Sequence, residues 1–176
     1  MPEARFAAQK EGKAPRGAGW YVLNVREALW GHSEALGSYC TFEGSARFPE
    51  VGFNLNVQQP GQPSSMYHAE EAQEGFLVLA GECLLIVEGQ ERLLRPWDFF
   101  HCPAGTEHAL VATGEAPCIF VAFGARGEGG SVRYPVSELA QSHNAGVERE
   151  TKSARSAYRH LPPTRYGKAY RSGDLP

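Results

Sequence analysis

The sequence predicts an all-β fold, an antiparallel sandwich or small barrel, and three observations predict it. From residue 66 to 124, strand-like text alternates with turn-like text about every ten residues. Gly or Pro stands at nearly every corner of that stretch. The chain has 176 residues, which is one domain's length with room for extra arms.

The elements follow in order. Residues 1–19 are rich in Ala, Gly, Lys and Pro without periodicity, and read as a mobile arm or one that orders against a partner. WYVLNV (20–25) reads as a strand, and REALW (26–30) as a helical turn or an irregular connection. SYCTF (38–42) and FNLNVQ (53–58) are short, alternating and bounded by Gly or Pro. GFLVLA ends at Gly81, CLLIV at Glu88-Gly89, RLLR at Pro96, DFFHC at Pro103, HALVA at Gly114 and CIFVAF at Gly124. GARGEGGS (124–131) reads as a flexible joint. Residues 135–146 look helical, with Ser137 to cap the start and Gly146 the end. A second short basic helix spans 151–161, and an irregular aromatic tail follows. The predicted units are an arm (1–19), a barrel (20–124) and a helical or irregular tail (125–176) that packs on the barrel or on a neighbouring subunit.

Bulk composition narrows the function classes. A net charge of −3 gives no reason to expect nucleic acid or an anionic membrane surface. No helix-turn-helix is visible. The longest apolar run is far too short to span a bilayer, and the N-terminus has no apolar signal core. Cys40, Cys83, Cys102 and Cys118 are widely spaced without a CxxC pair, so buried reduced thiols in a cytoplasmic protein are expected.

The stretch MYHAEEAQEGFLVLAGE (66–82) places His68 and three carboxylates, Glu70, Glu71 and Glu74, at the mouth of an apolar strand. Charges are rarely put there without partners. Residues two apart on a strand share a face, so His68 goes with Glu70, and Glu74 with Phe76 and Val78. In PAGTEHAL, His108 goes with Leu110 and Ala112, while Glu107, Ala109 and Val111 take the other face. If these faces turn inward, His68, Glu70, Glu74 and His108 converge on a first shell for a divalent transition metal. Glu71 reads as solvated. Cys102 reads as packing, since no base is identifiable beside it. Trp97, Phe99 and Phe100 read as barrel packing, and Met66 and Tyr67 as pocket lining.

These residues resemble the cupin superfamily. Its first motif is matched by His68, by Glu74 with three residues between it and Glu70, and by Gly81 with six between it and Glu74, with Gly61 one residue early and Glu70 where a second His is usual. Its second motif is matched by Asp98, Pro103, Gly105 and His108, with Trp97 in place of Gly and Ala112 in place of Asn. The resemblance covers residues 53–124 and implies a cupin-like jelly-roll β-barrel with short C-terminal helices and irregular terminal arms. It implies a metal at His68, Glu70, Glu74 and His108. A second carboxylate brings the site close to neutral, which favours Fe, Mn or Ni over Zn.

The function expected is that of a metal-binding cupin, acting as an oxygenase, isomerase or decarboxylase on a small oxygenated metabolite. The alternative is a non-catalytic small-molecule-binding or structural cupin. Exposed strand edges point to a homodimer, with WYVLNV and the tail as cover.

Overall fold

The computed structural model describes residues 1–9, 12–126 and 130–168. Its elements begin with β1 (Arg5–Gln9), β2 (Gly12–Arg16), β3 (Leu29–Ser33), β4 (Gly37–Cys40) and β5 (Val51–Gln58). They continue with β6 (Ala69–Glu70), β7 (Glu74–Ala80), β8 (Glu82–Val87), β9 (Gln90–Leu94) and β10 (Phe99–Cys102). After β11 (His108–Thr113), β12 (Cys118–Ala125) and β13 (Val132–Arg133) come the helices α1 (Glu138–Ser142) and α2 (Ala154–Ala157), then β14 (Arg165–Lys168).

The alternation read between 53 and 124 is realised as β5, β7, β8, β9, β10, β11 and β12. One sheet runs β10-β7-β12-β5-β4-β3-β14 and a smaller one β11-β8-β9. Side chains from both sheets meet in one core: Phe76 and Val78 from β7, Cys83 and Leu85 from β8, Cys102, Leu110, Ala112, Cys118 and Phe120. Burying a side chain such as Val78 or Phe120 contributes about 1.5–3 kcal/mol each. The fold is therefore all-β with short C-terminal helices, its two main antiparallel sheets compatible with a jelly roll and accompanied by two two-stranded pairs, β1-β2 and β13-β6. Gly81 turns β7 into β8 at φ 69, where a side chain would also run into the Pro117 carbonyl. All four cysteines are free and buried.

Several expectations are corrected. WYVLNV is no strand: Leu23 and Val25 pack flat on the outer apolar cluster with Trp30, Leu55 and Ile119, while Trp20 and Val22 are exposed. The N-terminal arm pairs with itself, β1 against β2, and Lys13 donates its backbone N–H to Glu27. Ser137 does cap α1 by accepting from the Ala140 N–H, but the helix ends at His143 and Asn144 turns left-handed at φ 58, before Gly146. The second helix shrinks to α2, capped by Ser153. Part of the tail covers an edge within its own chain, β14 pairing with β3. Residues 127–129 of the predicted joint and 169–176 of the tail lie outside the described residues. Trp97 and Phe99 are exposed rather than packed, and only Phe100 lies against the core. Among the described residues no helix is long and apolar enough to cross a membrane.

Candidate metal centre

An irregular segment lies along the free edge of β11 and carries the first histidine. Gly61 donates to the Ala112 carbonyl, Ser64 to that of Leu110, and His68 and His108 exchange both backbone hydrogen bonds, at 3.0 and 2.8 Å. The two imidazoles are thus mounted opposite each other on paired backbone, with ring centroids 4.7 Å apart. Glu74 opens β7 on the face of Phe76 and Val78, and His108 opens β11 on the face of Leu110 and Ala112, both as the alternation requires. Ala109 and Val111 point to a separate cluster behind β11.

The three groups converge. His68, Glu74 and His108 each offer one donor atom, and these atoms lie within 4.8 Å of one another. Donors bound to one ion at about 2.1 Å are about 3–4 Å apart, so a small contraction would suffice. His108 Nε2 stands 3.4 Å from Glu74 Oε2, with side-chain exposures of 1% and 16%. Glu70 sits at the rim, Oε1 3.7 Å from His68 Nε2 and 41% exposed. Glu71 turns away, its carboxylate accepting from the Ser131 N–H.

Both imidazoles are held by the same device. His68 Nδ1 lies 2.7 Å from the Met66 carbonyl, and His108 Nδ1 3.1 Å from that of Thr106. A carbonyl only accepts, so each Nδ1 carries the proton and each Nε2 presents a lone pair. The consequence at the inner pair is two acceptor atoms facing each other. Glu74 Oε2 and His108 Nε2 are buried without a hydrogen-bond partner. A proton or a cation between them removes that conflict, and the donor set fits a divalent ion.

The electrostatics are those of a dry site. Burial, then the Glu70 carboxylate, pushes Glu74 up to about 8. Burial, then the neighbouring His68, pulls His108 down to about 4, against the Thr106 carbonyl. Burial also lowers His68, with the Met66 carbonyl and Glu70 pulling the other way.

Three neighbours escaped sequence reasoning. Cys102 Sγ lies 3.4 Å from His108 Nδ1, but that nitrogen carries its proton toward the Thr106 carbonyl and offers the thiol no base. Burial pushes that thiol up to about 12, which keeps it protonated and unreactive. Tyr134 is buried with its ring 5.8 Å from that of His68, and Tyr158 packs edge-on against Tyr134. Neither tyrosine has a local sequence signal, because both meet the site from a distant segment. Of the two residues expected to line a pocket, Tyr67 is buried in the cluster behind β11. Met66 does border a cavity of about 570 Å³, on the side of Leu36 and Leu161.

Comparison with known proteins agrees with this architecture. The family model described as a cupin domain matches residues 55–124. No curated protein matches the chain. A sugar phosphate isomerase of the cupin superfamily from Silicibacter pomeroyi is similar at 26% identity and TM-score 0.53, over 57% of this chain and 66% of that one. A protein described as a sugar phosphate isomerase from Acidithiobacillus ferrooxidans is similar in fold, at 23% identity and TM-score 0.50, over 53% and 62%. The chain thus spans a little under two thirds of each of these structures. Motif residues, sheet order and family model fall on the same stretch, and residues 55–124 form a cupin domain.

Proposed function

We propose that the protein is a metal-dependent enzyme of isomerase type acting on a small oxygenated metabolite. One observation carries the metal half: Glu74 Oε2 and His108 Nε2 face each other, buried and unpartnered, beside the bare Nε2 of His68. His68, Glu74 and His108 would hold the ion, with Glu70 as fourth donor from the rim. Two imidazoles and two carboxylates favour Fe, Mn or Ni over Zn. The ion would polarise a substrate oxygen. The chain's own part is to keep water out with Phe76, Phe100 and Tyr134 and to hold the imidazoles neutral through their carbonyl partners. The isomerase reading, rather than oxygenase or decarboxylase, is supported by the likeness to the Silicibacter pomeroyi protein.

Metal analysis of purified protein, with His108→Ala beside it, tests the site. Stoichiometric Fe, Mn or Ni lost in the variant supports it, and unchanged content in the variant removes it. For the reaction, metal-loaded protein in D₂O with hydroxy-carbonyl compounds should place deuterium at the carbon next to the carbonyl. No exchange with any of them would count against isomerisation.

A non-catalytic binder is the second reading, favoured by the cavity of about 570 Å³, which none of the four donor residues lines. The four unpaired thiols support a cytoplasmic setting. A homodimer is supported by the aromatic row Phe48–Phe53–Phe123–Phe99, in edge-on, tilted and stacked contact in turn, with Phe53 and Phe99 43% and 56% exposed. A second copy of this exposed aromatic row is the occupant it fits. Light scattering should give a dimer that Phe99→Glu dissociates; a monomer at micromolar concentration would overturn it.

A further inference from the structure

We propose that Tyr158, from the segment after the cupin domain, is a positioning residue for the centre: it clamps the backbone of Met66, whose carbonyl fixes the His68 imidazole. The proposal rests on the cation reading above.

The clamp has two jaws, both from beyond residue 125. The Met66 N–H donates to the Tyr158 hydroxyl at 3.1 Å. The next peptide unit is held as a whole. Its Tyr67 N–H donates to the Ala145 carbonyl at 2.6 Å, and its Met66 carbonyl accepts from His68 Nδ1 at 2.7 Å. An amide that donates at one end accepts more strongly at the other. The Tyr158 ring also packs edge-on against Tyr134, whose ring packs against His68.

Met66 is 1% exposed and is packed with Tyr134, Val147 and Ala157. Without the phenol oxygen, the Met66 N–H would be buried and unpaired, and the residue would have to shift. His68 is the arm that such a shift reaches. His108 stands in a ladder of six residue pairs between β11 and β8, whereas His68 belongs to an irregular segment with one bridge to β11 at its own position. Partners that orient a metal-ligating imidazole typically change affinity 10–100-fold when removed.

The test uses the full chain and Tyr158→Phe, which keeps the ring and removes the oxygen. Co(II) titration followed by visible absorption should show wild type binding one ion and Tyr158→Phe binding about 10–100-fold more weakly with a shifted d–d band. In metal-free wild type, ¹⁵N-histidine NMR should show His68 as the Nδ1–H tautomer, with that proton exchanging faster in the variant. Val147→Ala loosens the same cluster but keeps the hydroxyl. It should lower the melting temperature and leave Co(II) affinity and the His68 signals unchanged.

Equal affinity and equal His68 signals in wild type and Tyr158→Phe would overturn the proposal. So would a His68 Nε2–H tautomer in wild type, which needs no variant to fold, or a Val147→Ala loss as large as that of Tyr158→Phe. If wild type takes up no Co(II), the cation reading itself fails and the proposal goes with it.

Discussion

The His108–Glu74 pair and the His68–Glu70 pair are chemically alike and sit in different media. The first is sealed, with side-chain exposures of 1% and 16%; the second reaches solvent through Glu70, 41% exposed. Separations are similar, 3.4 and 3.7 Å, so distance does not distinguish them. Desolvation does: the inner carboxyl is pushed up to about 8 and the inner imidazole pulled down to about 4. Mounting differs too. His108 belongs to a ladder of six residue pairs, while His68 is held by one bridge and by contacts from the C-terminal segment. The inner pair is part of the fold, and the outer pair is attached to it.

The largest effect should come from truncating each imidazole. His108→Ala should reduce metal affinity by more than about 100-fold and also cost about 2–3 kcal/mol of stability in the metal-free protein, because it opens a cavity beside Phe76 and Phe100. His68→Ala should lose affinity comparably but destabilise less. Denaturant melts with and without chelator measure both, and equal destabilisation would mean that the two imidazoles are mounted alike.

Next come the carboxylates of the metal-free protein. The folded state holds the Glu74 proton up to about 8, against an ordinary value of 4.5, so stability is lost as pH rises through that window. For His108 the folded value, about 4, lies below the ordinary 6.5, so stability is lost as pH falls between them. The two slopes oppose each other up to pH 6.5, and above it only the Glu74 loss remains. Between pH 6.5 and 8 this amounts to about 2 kcal/mol. Glu74→Gln should abolish that loss, and Glu70→Gln should leave most of it. Urea melts at several pH values would decide, and a flat wild-type profile would show that the inner pair is wetter than its burial implies.

The smallest effect lies outside both pairs. Trp97 occupies a motif position read as glycine's and adopts φ 76 with its side chain 76% exposed. A left-handed backbone costs a bulky residue about 1–2 kcal/mol, and glycine's extra unfolded-state freedom takes back part of that gain. Trp97→Gly should therefore stabilise by about 0.5–1 kcal/mol and leave metal affinity unchanged. A melting temperature that falls instead would mean Trp97 makes a contact worth more than the strain.

Sequence reasoning reached the strands and most of the candidate centre because both depend on local spacing. Alternation with Gly and Pro at corners specified the strands between 53 and 124, and parity placed Glu74, Phe76, Val78, His108, Leu110 and Ala112 on one inward face. WYVLNV misled because its apolar residues cover a sheet instead of joining one, and alternation looks the same in either case. Tyr134 and Tyr158 were invisible for another reason: no periodicity links a residue to a partner more than sixty positions away. The Glu70 substitution was noticed, but its position at the solvent boundary follows from β6 pairing with β13, a contact outside any motif.

The reciprocal backbone bonds between His68 and His108 have an evolutionary and engineering consequence. Two candidate ligands fastened rung to rung cannot drift apart gradually. A one-residue slip of this pairing would turn one ring to the opposite face and separate the donors in a single step. A substitution at the rim position Glu70 leaves the register alone, and is where such a centre would be tuned.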